Sequence, residues 1–349
     1  MIRIGNIIYI LLLTTAISIL SCSEDKVDTV GKEENPIIRF DRLLFETDTS
    51  ALMEKLEEFR QQHPQFYNIY FTNIVPVTGY GEDNKIFESY LKKYVTDKDL
   101  RKIYELTKVE FGDLKDIKRQ FDKAFERYHK LFGDEATPRL FAYISGFSTQ
   151  RFIFEENGKD GLAFSLDLFL GDKYPYENLN NSNNTFASYL VRTYNKDHLV
   201  KKVLEMWIED KLSDMKGTRA IDYMIKNGKK LYILKQLMPD IQDSVLLEYT
   251  PQQLEWLQNN EKEMWSYYIK KNFFYTTDNY IIKRLVKPAP NSQALGMPRK
   301  SPGYTGNYLG YKIVTAYMQR NKEMTLEQLI KEKDAQKILE QSKFKPKIK

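Results

Sequence analysis

Hydrolytic or acid–base chemistry in this chain would have to be assembled from few parts. There are three histidines, His63, His129 and His198, and one cysteine, Cys22. The histidines are far apart, and none is followed by Glu-x-x-His, the helical spacing that sets two imidazoles and a base around a zinc ion. His129 lies on the edge of an apolar helical stripe and reads as a surface or core-rim residue. No Gly-x-Ser-x-Gly elbow announces a serine nucleophile, although a Ser–His–Asp arrangement stays open. Glu205 and Glu209 stand one helical turn apart and read as a solvated i,i+4 pair rather than acid–base machinery. The residues offer no ligand set for a metal and no phosphate-binding glycine loop, so no cofactor is expected.

Cys22 points to a different chemistry. Arg3 supplies a positive start, and residues 7–20 are apolar but too few to span a membrane, as in a secretory signal. The signal ends in Ile19-Leu20-Ser21-Cys22, which resembles a bacterial lipobox. With one cysteine no internal disulfide is possible. Cys22 is therefore expected to be the acylated first residue of a lipoprotein, with the membrane as its partner through the lipid. Each buried CH₂ of such a chain contributes about 0.8 kcal/mol. Ser23, Glu24 and Asp25 resemble the surface-export signal of Bacteroidota lipoproteins. They point to the cell envelope and the outer membrane, on its periplasmic or its surface face.

The formal charge is +5, with 53 basic and 48 acidic residues mixed along the chain. That balance describes a solvated surface, and an exported protein has no nucleic acid as partner. Twenty-four tyrosines fit a globular domain with large, partly wet clefts.

The elements that would position these residues follow from periodicity. The expected division is a signal over 1–21, a tether over 22–36, a single globular domain over 37–342 and a basic tail over 343–349. Within the domain, residues 37–137 read as helical, 138–171 as strands and 185–342 as helical. The fold class is thus mainly α with a small β-sheet (α+β). Leu52, Met53, Leu56 and Phe59 mark a helix closed by Pro64, and caps at Asp97 and Asp113 divide the helices up to Phe132. Arg139–Phe147, Gln150–Phe154 and Leu162–Leu170 read as strands with hairpin-like connections. Asp197–Asp210 is helical. In Thr218–Pro239, Ile221, Met224, Ile225, Leu231, Leu234 and Leu237 recur at helical spacing around Gly228. A mid-helix glycine costs roughly 1 kcal/mol relative to alanine, so a packing contact, a break or a site is expected there. Thr250-Pro251 opens a helix to about Asn272, residues 288–311 form a Gly/Pro-rich loop, a helix runs from about Tyr308 to Arg320, and Thr325 caps the last helix.

Five segments carry a family resemblance: IIRFDRLLFE (37–46), LDLFLGDKYPY (166–176), IDYMIKNGKKLYIL (221–234), GMPRKSPGYTGNYLGYKIV (296–314) and DAQKILEQSKFKPK (334–347). They resemble the GldB family of gliding-motility lipoproteins. That family is distantly similar to predicted gluzincin-type zinc proteases, which implies a degenerate gluzincin-type metallopeptidase fold. In those proteases one helix carries His-Glu-x-x-His and a later one carries Glu-Gly. The resemblance sets Glu-Gly on Asn227-Gly228, the first ligand on His198, the general base on Leu199 and the second histidine on Lys202. It thus implies a non-enzyme: a protease-like scaffold linked to gliding and type IX secretion, binding an envelope protein in a cleft around Asn227, Gly228, Tyr304 and Tyr308. The alternatives are an envelope peptide- or glycan-binding lipoprotein and a zinc metallopeptidase with unusual ligands.

Overall fold

Four short strands make the sheet in the computed structural model: β1 (Ile37–Arg39), β2 (Arg139–Tyr143), β3 (Arg151–Glu156) and β4 (Lys159–Ser165), in the order β1-β2-β4-β3. The structure describes residues 35–76, 84–133, 135–179, 185–292 and 296–346. The signal, Cys22 and most of the tether lie outside them, as do the last three residues of the basic tail. β3 and β4 are antiparallel and joined by Asn157-Gly158, both at positive φ, the two-residue turn that this dipeptide favours. β1–β2 and β2–β4 are parallel. The central strands β2 and β4 are accordingly buried along nearly their whole length and carry continuous apolar runs.

β1 is the start of the apolar entry segment 37–45, which the sequence suggests is extended at first, and pairs Ile37 with Leu140 of the 138–171 stretch. The stretch after β4 is shorter in strand than its composition suggests. Leu166–Phe169 is a 3-10 turn, held by the fully buried Asp167. Its carboxylate accepts from the Ser145 amide at 3.1 Å, the Phe147 amide at 2.7 Å and the Ser165 hydroxyl, which ties two strand ends together.

The helices before β2 are α1 (Phe40–Glu46), α2 (Leu52–Gln62), α3 (Pro64–Ile69), α4 (Asn84–Thr96), α5 (Lys98–Phe111) and α6 (Lys115–Phe132). After the sheet come α7 (Ser188–Val191), α8 (Lys196–Lys211), α9 (Ala220–Leu237), α10 (Asp243–Leu246), α11 (Pro251–Asn259) and α12 (Glu261–Lys270). The last four are α13 (Asn279–Val286), α14 (Thr305–Arg320), α15 (Leu326–Lys331) and α16 (Ala335–Ser342). The fold is mainly α with a small mixed sheet. Local signals place many helix starts: Asp97 caps α5, and Thr250–Gln253 and Thr325–Gln328 form capping boxes. Pro64 does more than end α2, since it occupies the first turn of α3. The helix begun at Thr250 breaks at Asn260 into α11 and α12. α14 starts at Thr305, so the loop before it is shorter than the glycines and prolines of 288–311 suggest.

α9 and α14 cross with their backbones almost in contact. A Cβ on Gly228 would lie 2.3 Å from the Gly310 carbonyl oxygen, and one on Gly310 would lie 2.0 Å from the Met224 carbonyl oxygen. Both are closer than real Cβ atoms approach, so only glycine permits this crossing. Gly228 has its explanation in packing. Ile221, Met224, Ile225, Ile233, Leu234 and Leu237 of α9 are fully buried around it. Lys229, also fully buried, donates to the Glu332 carbonyl at the end of α15.

Candidate functional site

A cavity of about 680 Å³ opens beside this crossing, between α8, α9, α13, the start of α14, the end of α10 and the segment 247–249 that follows it. Helical rotation decides which neighbours enter it. Gly228 faces α14, while Asn227 and, on either side of it, Lys226 and Lys230 line the cavity. Asn227 Nδ2 donates to Asn307 Oδ1 at 2.7 Å, and Asn307 Nδ2 donates to the Val286 carbonyl at 3.0 Å. Tyr304 and Tyr308 also line it, the latter donating to Glu261 Oε2 at 2.7 Å.

Two residues of the wall are in the left-handed region, Glu248 at φ 54 and Tyr304 at φ 41. Side-chain-bearing residues persist there only when their surroundings over-determine them. Here the Tyr304 hydroxyl and the Arg192 guanidinium both donate to the Glu248 carbonyl. Tyr249 stacks on Tyr304 with ring centroids 4.7 Å apart and donates to the Gly303 carbonyl at 3.1 Å.

The floor is a chain of buried charges. Lys201 Nζ lies 2.8 Å from Glu205 Oε2 and 2.8 Å from Glu248 Oε1. Lys202 Nζ reaches Glu248 Oε1 at 2.9 Å, and Lys230 Nζ reaches Glu205 at 3.3 Å and Glu209 at 3.1 Å. The Lys201 and Lys202 side chains are only 2% and 9% exposed, so these pairs work with little solvent screening. Burial pushes Glu205 and Glu248 up, but the facing lysines overcome it and hold both carboxyls below the ordinary range. Lys202 is pushed down, first by burial, then by Lys201 and Arg151, against the pull of Glu248. Both buried carboxylates are thus engaged as counter-ions, and proton transfer near neutrality has no poised base among them.

Of the three residues set by resemblance at the first zinc-binding helix, only Lys202 faces the cavity. His198 Nδ1 sits 2.8 Å from Asn195 Oδ1, and burial pushes its pKa down to about 4. Leu199 is fully buried in the core. The cavity face of α8 is Lys201, Lys202, Glu205 and Glu209. His63 packs edge-on against Phe141, and His129 Nε2 is 2.8 Å from Thr137 Oγ1, so the three histidines do not converge. Among the described residues no group of three His, Cys, Asp or Glu side chains comes together as metal ligands.

Glu205 departs from the solvated reading given by its spacing from Glu209. It is ion-paired on two sides and largely buried, while Glu209 is more than half exposed. A signal for the floor was present: Lys201-Lys202 interrupts the apolar run Leu199-Val200 and Val203-Leu204 of α8. Glu248 and Arg151 carried none, because each reaches the cavity from an element remote in sequence.

Among the described residues no helix is long and apolar enough to cross a membrane. No curated protein and no solved structure matches the chain. The family model described as gliding motility protein GldB matches residues 23–346, which takes in all the segments above except the final lysine of the last one. The chain belongs to the GldB family and is a gliding-motility lipoprotein of the cell envelope.

Proposed function

We propose that the protein is a non-catalytic, protease-like binding or scaffold lipoprotein, anchored through acylated Cys22 at the outer membrane and linked to type IX secretion. The observation that carries this reading is the state of the cavity floor. Glu205 and Glu248 are each held by two lysines, and a carboxylate so occupied serves poorly as a base or a metal ligand. A lysine at Lys202, the place that the protease resemblance gives to a second histidine, repels a divalent cation. What remains is a shaped, charged recess suited to holding part of an envelope protein.

Metal analysis and peptide hydrolysis by the purified protein test the reading. The expected result is no stoichiometric zinc and no turnover, with gliding abolished by deletion of the gene. Stoichiometric zinc together with hydrolysis would overturn the non-catalytic role. A deletion strain that still glides would overturn the motility role.

A further inference from the structure

Eight lysine and arginine side chains line the cavity against four carboxylates. Three of those carboxylates, Glu205, Glu209 and Glu248, are shared among Lys201, Lys202 and Lys230, and the fourth, Asp222, pairs with Arg219 outside the lining. Among the described residues no carboxylate pairs with the remaining cations, of which Lys216, Lys283 and Lys287 are exposed and Arg151 and Lys226 half-buried. Lys226, half-buried and one helical turn from Lys230, has no carboxylate partner among the described residues, and neither have Lys283 and Lys287 on the rim. Lys202 can donate three hydrogen bonds and meets one carboxylate oxygen. Arg151 Nε is shielded from solvent and lacks a hydrogen-bond partner. Cationic groups gathered in a low-dielectric recess are costly unless a negative charge joins them. At about 680 Å³ the recess has the size of a ligand site rather than of a packing defect.

We propose that this cavity binds an anionic ligand, whose carboxylate or phosphate group takes its counter-charge from Lys226 and Lys230 of α9 with Lys202 and Arg151 opposite. The inference rests on the binding role proposed above and names the chemistry that role would use. Tyr304 and Tyr308 add small edges of otherwise buried rings to the lining, and the Asn227–Asn307 hydrogen bond ties the α9 and α14 parts of the wall together. The left-handed Glu248 and Tyr304 keep the wall in one conformation before the ligand arrives.

Two probes distinguish the sources of such a group: inorganic phosphate, and a peptide of four glutamates with a free carboxy-terminus. Each is titrated calorimetrically into the full lipidated chain in non-ionic detergent at low ionic strength, where surface charges are least screened. Saturable binding of at least one probe is expected. Lys226→Glu, which breaks no ion pair, should weaken it at least tenfold with an unchanged circular dichroism spectrum. Lys123→Glu on α6, outside the cavity, should leave it unaltered. Binding of phosphate alone identifies a small phosphorylated ligand, and binding of the peptide alone identifies an acidic segment of a partner. Either supports the site. The absence of saturable binding by both probes overturns it, as does equal affinity in Lys226→Glu. Zinc-dependent hydrolysis would defeat the non-catalytic reading while leaving the anion affinity standing, so the two failures are told apart.

Discussion

Asn227 and Gly228 are neighbours on α9, yet one belongs to a wet, charged wall and the other to a dry contact between backbones. The same division is repeated on α14, where Gly306 and Gly310 face inward and Asn307 and Tyr308 face the cavity. One pair of helices therefore supplies both surfaces. The closeness of the crossing sets how the cavity wall is placed, and nothing in the wall loosens the crossing. A residue that looks anomalous in a helix can thus owe its identity to the neighbour on the far side, while its sequence neighbour carries the chemistry.

The largest test of this division is Glu248→Gln. It leaves buried Lys201 with Glu205 alone and buried Lys202 with no carboxylate partner among the described residues, and removing one partner of a buried pair costs about 3–5 kcal/mol. Denaturant unfolding should show that loss, and a loss below about 1 kcal/mol would mean that water reaches the floor freely. Gly310→Ala follows. Its Cβ would meet the Met224 carbonyl at 2.0 Å, and overpacking of this kind costs about 1–3 kcal/mol or more. A neutral effect would show that α9 and α14 part without penalty.

Acid should reach the charged wall before the dry crossing. The folded carboxyls of Glu205 and Glu248 are depressed below their ordinary 4.5, so their stabilisation is complete above that value and is lost as pH falls through the folded values. Stability should decline below about pH 4.5 by up to about 1.4 kcal/mol per pH unit for each titrating carboxyl. Glu248→Gln should flatten that decline, and an unchanged slope would place the titration elsewhere. The smallest effect is expected from Asn227→Ala, which removes the hydrogen bond donated to Asn307 Oδ1 and costs about 1 kcal/mol. It should alter ligand affinity more than melting temperature.

What was legible in the sequence was what is local. The apolar stripe of α9 and the Thr250–Gln253 and Thr325–Gln328 boxes are each decided within a few residues. The cost of Gly228 was visible, but its cause was not, because Gly310 lies 82 residues further on. The cleft residues Asn227, Tyr304 and Tyr308 came from resemblance, and the structure places all three on one cavity with Gly228 turned away. The buried charges escaped for a different reason. Lysine and glutamate read as surface residues unless the partner that compensates them is known, and Glu248 stands 46 residues from Lys202.

The pairing of β1 with β2 has a consequence for export. Ile37 finds Leu140 only after about a hundred residues have followed it, and the closure of so long a loop is slow compared with helix formation. A chain that crosses a membrane amino end first delivers its opening strand long before the strand's partner. α2, α5 and α6 are closed by local bonds in the meantime, but the sheet waits for residues 139–143. The strand that opens the domain therefore completes its tertiary pairing late, after the helices that follow it have closed.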